Sequence, residues 1–326
     1  MFRRAVFLTA GVLAIALLTP AGAHAQLVFE SVGIRALGMA GAFVAVADDA
    51  SAAYWNPAGL VVGSPLGTTI EWNRFQTGNQ KAPPGPGPTL RSGTFASVAS
   101  WPVGVSYGRL RSTWLAAGPG GEVVSEKVET FQVGATLVQT IVPGLVVGST
   151  LKYLRGSFAT GLSGGPTVED ALDQGMGLDG PGENHFDFDI GLMADLKKVR
   201  LGVTGRNLLE PQFTSAAGTA IKLQRLTRAG VAFLPSAGLT LAMDVDLDTV
   251  DLRDGLRRMI ALGGEGRLGS RVAVRGGVRW DLKGESQPVT ALGLSVSLRP
   301  RFWLEGYYSR GQRDEDRGFG IGFRAG

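Results

Sequence analysis

Carboxylates and arginines recur at alternate positions, and they are the residues here whose types and spacing could do chemistry. Asp244, Asp246 and Asp248 form one ladder; Arg271, Arg275 and Arg279 form another, two expected strands further on. Hard cations want clustered oxygens, so three aspartates invite a metal. Along an extended chain, however, residues two apart stand about 7 Å from one another. That is too far to share one ion without a converging loop, so a lumenal charge network joining the two ladders is the better reading, with no metal. Glu183, His185, Asp187 and Asp189 are the other acidic group, with a single histidine. A zinc or hydrolytic centre would need a second histidine, or a serine aimed at this one, and no motif supplies either. This group reads as a loop-to-strand junction on the outer side. No enzyme and no cofactor is expected, and with no cysteine there is neither thiol chemistry nor a disulfide.

The elements that must position these residues are strands. Arg3 and Arg4, the apolar run Ala5 to Leu18, and Ala23-His24-Ala25 read as a cleaved export signal over residues 1–25. Without Arg3 and Arg4, the 32 basic and 28 acidic residues nearly cancel. No basic run suggests nucleic acid. A content of 44% hydrophobic residues argues against disorder, and 49 glycines without a triplet period are not collagen. From residue 66 on, runs of about ten residues alternate apolar and polar between turn signals. Strands are expected at 66–75, 93–100, 103–111, 128–141, 143–155, 186–196 and 198–207. Seven more follow at 223–234, 237–248, 257–268, 270–282, 287–298, 300–310 and 316–324.

Connections between these runs alternate long (76–92, 112–127, 156–185, 208–222, 249–256) and short, as in outer-membrane barrels with short periplasmic turns. The glycine-rich 161–182 is expected as a free outer loop, and 81–88, with four prolines, as a stiff extended one. Leu241, Met243, Val245 and Leu247 oppose the aspartate ladder, and Val272, Val274, Val278 and Trp280 oppose the arginines. Apolar faces toward lipid and charges toward a lumen avoid roughly 2–4 kcal/mol for each charge at the bilayer midplane. Trp72, Phe75, Trp101, Tyr107, Tyr153, Phe233, Trp280, Tyr308 and Phe323 are expected in interfacial aromatic girdles. The fold class is thus all-β: a transmembrane antiparallel barrel of about fourteen strands over 66–326, in contact with outer-membrane lipid.

The stretch from Gly33 to Leu60 does not fit that pattern. It is dense in small residues, holds the adjacent acids Asp48 and Asp49, and runs into Asn56-Pro57. The acids favour a short helix start, and a residue before proline leaves the helical region. Such a segment suits a plug over 26–65, packed against the glycines Gly134, Gly148, Gly202, Gly263, Gly277 and Gly293. A first strand pair over 33–47 is the alternative.

Gly38-Met39-Ala40-Gly41-Ala42, Ala47-Asp48-Asp49-Ala50-Ser51 and Trp55-Asn56-Pro57-Ala58-Gly59-Leu60 resemble the N-terminus of the FadL-like outer-membrane superfamily. That superfamily includes FadL/TodX hydrophobic-compound transporters and PorV/PorQ-type proteins. The resemblance implies a hatch inside a fourteen-stranded barrel, with Asp48, Asp49, Tyr54, Trp55, Asn56 and Pro57 as its gating residues. It further implies passive uptake of small hydrophobic ligands, fatty-acid-like or aromatic, in the outer membrane. The alternative it carries is a PorV/PorQ-like scaffold docking an exported protein or a secretion machine.

Overall fold

Alternation of apolar and polar residues closes the chain into a barrel. The computed structural model describes residues 28–77, 88–118, 120–214, 220–252, 255–283, 288–311 and 316–326. The expected signal and most of the proline-rich stretch at 81–88 lie outside them. The strands are β1 (Gly67–Thr77), β2 (Thr89–Ser100), β3 (Val103–Ala117), β4 (Val123–Val142), β5 (Leu145–Leu162), β6 (Gly182–Asp195) and β7 (Val199–Arg206). Then come β8 (Gln212–Thr214), β9 (Ala220–Lys222), β10 (Leu226–Ser236), β11 (Leu239–Asp246), β12 (Val250–Leu252) and β13 (Gly255–Arg257). The last are β14 (Met259–Leu268), β15 (Val272–Asp281), β16 (Val289–Arg299), β17 (Phe302–Arg310) and β18 (Arg317–Ala325).

Fourteen of these strands form one closed antiparallel sheet, sealed where β1 pairs with β18. The remaining four make two small hairpins, β8 with β9 and β12 with β13, in what were expected to be plain loops. Each of the fourteen expected strands is present, but several run longer. The loop expected at 112–127 shrinks to a turn, because Arg111–Ala117 pairs directly with Val123–Glu129. Wall height is therefore uneven: β4 has 20 residues and β5 has 18, whereas β7 and β11 have 8 each.

The glycine-rich 161–182 stretch is not a free loop. It contains α3 (Val168–Met176), whose Thr167 Oγ1 accepts from Asp170 N at 3.1 Å while Glu169 and Asp170 sit in the first turn. Its Ala171 and Leu172 are buried with Leu90 and Leu115. Gly175 within the helix and Gly177 directly after it hid this helix from periodicity.

Leu241, Met243, Leu292 and Ile321 point outward and exposed, while Asp187, Asp189, Asp244, Glu265 and Arg275 point inward and buried. This is the arrangement a bilayer-spanning barrel requires. Phe75 departs from the expected girdle: odd positions of β1 face inward, and its ring is buried beside the Arg279 guanidinium. Both ends of the barrel lie on the short-turn side, where Gly326 N donates to Arg301 O at 2.9 Å. Protease added to intact cells is therefore expected to cut the exposed 163–167 stretch and to spare 237–238. Fragment sizes on a blot check this, and the reverse pattern would invert the topology.

Candidate functional site: a segment docked inside the barrel

Residues 28–60 are almost wholly buried inside the barrel, as two short helices joined by turns and not as a strand pair. The helix α1 (Ile34–Gly38) starts from Gly33, whose φ of 91° needs a glycine. Its free amides find a wall partner: Gly33 N and Ile34 N donate to the Glu71 carboxylate at 2.6 and 2.7 Å. Phe43 N and Val44 N do the same to Asp244 Oδ2, both at 2.8 Å. Orphan backbone donors in a dry interior would cost about 1–3 kcal/mol each, so these carboxylates fix the segment in place.

Asp49 Oδ1 accepts from Ser51 N at 2.9 Å and from Ser51 Oγ at 2.5 Å, initiating α2 (Ala52–Trp55). Asn56 then turns extended and Pro57 opens the 3-10 helix Pro57–Val61. The Asn56 side chain does three things at once. Its Nδ2 donates to Val44 O at 2.9 Å and to Leu192 O of the wall at 3.1 Å, and its Oδ1 accepts from Ala58 N at 3.2 Å. Asn56→Ala is expected to destabilise docking by about 1–3 kcal/mol, read as faster amide exchange over 28–63. Unchanged exchange would remove Asn56 from the gating set.

Aromatic packing completes the segment. Trp55 is fully buried, with Phe29 and Phe43 rings at 4.9 and 5.9 Å, and its Nε1 donates to Val32 O at 3.1 Å. Tyr54 meets Phe95 of the wall at 5.9 Å and carries the Arg206 guanidinium 3.5 Å from its ring centre. Glycines make room for all of this. A Cβ at Gly148 would meet Pro57 and Ala58, at Gly202 Val44 and Ala45, at Gly263 and Gly277 Met39, and at Gly293 Gly38. Gly134, expected in the same wall, instead faces Ser106 and Thr150.

Two ion-pair hubs tie the segment down. Arg35 donates through Nε and Nη2 to Glu265 at 2.7 and 2.9 Å, and through Nη1 to Asp48 and to Asp49 at 3.1 Å. Glu30 accepts from Arg228 at 2.7 Å and from Arg257 at 2.6 Å. Burial alone would raise the Glu30 pKa, but Arg257, Arg228 and Arg279 hold it well below the usual carboxylate range. Asp49 is likewise lowered, against burial, by Arg35 and Arg324. Both folded values lie below the unfolded ones, so this stabilisation is complete above the ordinary carboxylate range and is lost as pH falls through the depressed values. Beneath the segment, a polar cavity of about 210 Å³ opens on the short-turn side, lined by Arg35, Asp48, Asp49 and Arg324 among others.

The two ladders read from the sequence do not meet. Arg228 on the neighbouring strand takes Asp246 at 2.6 Å, and Asp244 is spent on the Phe43 and Val44 amides. Glu265, on the strand between the ladders, captures Arg275 at 2.5 Å, and Arg279 lies against Phe75. Arg271 falls at a turn and is exposed, while Asp248 lies beyond the end of β11. The docked segment fills the space across which these charges were expected to pair. The His185 group is split as well. Asp187 and Asp189 are buried with Lys152 at 2.7 and 2.6 Å, while Glu183 and His185 stay partly exposed.

Sequence reasoning missed Glu30, Arg35, Glu71, Glu265 and Arg228, which hold the segment. A signal was present: Glu71 between Ile70 and Trp72, and Glu265 between glycines, are single inward charges at positions that alternation assigns to the lumen.

A sequence model of the family described as "F plasmid transfer operon, TraF, protein" matches residues 139–246. No curated protein matches the chain. Among solved structures, a Pseudomonas aeruginosa FadL homologue is 14% identical with a TM-score of 0.61, covering 93% of this chain and 98% of that one. The Ralstonia pickettii toluene transporter TbuX is 12% identical with a TM-score of 0.60, covering 91% and 98%. The CymD monoaromatic hydrocarbon channel is 17% identical with a TM-score of 0.59, covering 90% and 96%. At these identities the likeness is one of architecture, and the chain has the fold of the FadL-like hydrophobic-compound channels.

Proposed function

We propose that this barrel admits small hydrophobic compounds, fatty-acid-like or aromatic, across the outer membrane, with residues 28–63 as its gate and no catalytic step. The observation that carries the reading is an internal segment held in the lumen by wall side chains, in a barrel whose fold is shared with toluene and monoaromatic hydrocarbon channels. Export with cleavage before Gln26 belongs to the same reading. Asp48 and Asp49 answer to Arg35, and Asn56-Pro57 forms the turn by which the segment reaches Leu192 of the wall. The test is uptake of labelled toluene and of labelled oleate into cells with and without the protein. Faster entry of either supports the reading, and equal rates for both overturn it.

A second reading, a scaffold docking an exported protein or a secretion machine, is favoured by one observation. The segment closes the lumen with buried ion pairs, while α3 covers part of the opposite mouth. A stoichiometric protein retained on gentle extraction, together with no uptake, would select it.

A further inference from the structure

On five wall strands an arginine stands two residues beyond an aromatic, toward the long-loop end. The pairs on β1, β3 and β5 are Trp72 and Arg74, Tyr107 and Arg109, and Tyr153 and Arg155. Tyr308 with Arg310 on β17 and Phe319 with Arg317 on β18 repeat the pattern. Residues two apart share a face of the sheet, and all five aromatic side chains are exposed on the lipid face. The residue between each pair (Asn73, Gly108, Leu154, Ser309 or Gly318) is buried toward the lumen. These five arginines therefore point outward.

Their counter-charges differ round the wall. Arg74 pairs with Asp173 at 2.8 Å and Arg317 with Glu169 at 3.2 Å, both acids of α3. On β3–β5 the balance is positive. Arg109 and Arg155 lie on one cross-strand row, either side of Phe131, and Arg111 lies one row further out, opposite Glu129. Strands about 4.8 Å apart place the backbones of Arg109 and Arg155 about 10 Å from each other. Glu129 accepts from Lys127 at 2.8 Å and from Arg109. Among the described residues, Arg111 and Arg155 have no carboxylate within ion-pair distance. Three outward arginines thus face a single acid that Lys127 already neutralises.

The row beneath identifies what meets them. Tyr107, Val133 and Tyr153 are aligned directly below Arg109, Phe131 and Arg155, all exposed to lipid. Aromatic belts mark the membrane interface, so the guanidinium groups reach headgroup level, where their planar fork of donors fits phosphate oxygens. We propose that Arg109, Arg111 and Arg155 bind the phosphates of a phosphorylated glycolipid of the outer leaflet, with its acyl chains along Tyr107, Val133 and Tyr153. A soluble acidic protein would not require the apolar row below. The proposal rests on the place of the barrel in the outer membrane and is independent of what the lumen carries.

The test offers the full-length barrel, in detergent, equal amounts of lipid A and of lipid A freed of its phosphates, and weighs what it retains by native mass spectrometry. The wild type is expected to keep the phosphorylated form about fivefold in excess. Arg109→Gln, Arg111→Gln and Arg155→Gln combined should bring the ratio near one, while the three Arg→Lys changes should keep much of it. Glu129 retains Lys127 in these variants, so no buried acid is stranded. Arg299→Gln, at the other end of the wall, should leave the ratio unchanged. Heat-modifiable gel migration checks that each variant is folded. A wild type without preference overturns the proposal, as does a preference that survives the glutamine changes. Displacement of the lipid by free inorganic phosphate would make this a simple anion site, and capture of an acidic protein without lipid preference a protein interface; either result also overturns it.

Discussion

Arg35→Gln is expected to unseat the internal segment and raise conductance through the barrel. Arg35 is buried and serves three carboxylates: Glu265 of the wall, and Asp48 and Asp49 of the segment. Glutamine leaves a neutral amide among them. Glu265 keeps Arg275, but Asp49 loses its ion pair with Arg35. Breaking a buried pair by removing one partner costs about 3–5 kcal/mol, which shifts the docked-to-undocked ratio by roughly a hundredfold or more. Planar-bilayer conductance should rise, and amide exchange over 28–63 should quicken while strand exchange holds. Arg35→Lys, keeping the charge but losing the fork, should lie between. The double change Asp48→Ala with Asp49→Ala removes the segment's own half of the hub and should act in the same direction. Unchanged conductance in Arg35→Gln would mean that the segment does not gate.

Gly202→Val attacks the same docking by shape. A Cβ at Gly202 would fall inside contact distance of the Val44 carbonyl and Ala45 Cα, and backbone cannot rotate away as a side chain would. Overpacking of this kind costs about 1–3 kcal/mol or more, and here the strain falls on a segment that can leave. The barrel should still close, since β-branched residues suit strands, while the segment is displaced and conductance rises. Gly276→Val is the control. Its Cβ would make only ordinary contact with Leu292 at 3.7 Å, so wild-type conductance is expected. Equal effects from both changes would point to damage of the barrel and not to loss of docking.

The barrel was legible in the sequence because lipid outside and charge inside impose a period of two on every strand. Leu241, Asp244 and Asp246 declare their faces without any tertiary knowledge. The interior segment was legible as an exception, through Asp48-Asp49 and Asn56-Pro57. What holds it was not. Glu71 and Glu265 bond to residues 37 or more positions away, and only closure of the barrel makes them neighbours of Ile34 and Arg35. The ladder expected to join Asp244 with Arg275 failed because the docked segment and the adjacent strands offer closer partners than a strand two places away. Phe75 shows the limit of composition, since an aromatic near a strand end fits a girdle equally well from either face.

The uneven wall has a consequence for the membrane around it. At about 3.3 Å per residue and a tilt near 40°, β4 rises roughly 50 Å, well past a hydrocarbon layer of about 30 Å, whereas β7 and β11 rise only about 20 Å. Lipids beside β7 and β11 must compress, or the whole barrel must lean toward them, to avoid hydrophobic mismatch. The protein thus carries a built-in thin spot in its own bilayer, a few strands round the wall from its tallest strands. A nonpolar molecule escaping sideways would find its shortest journey there.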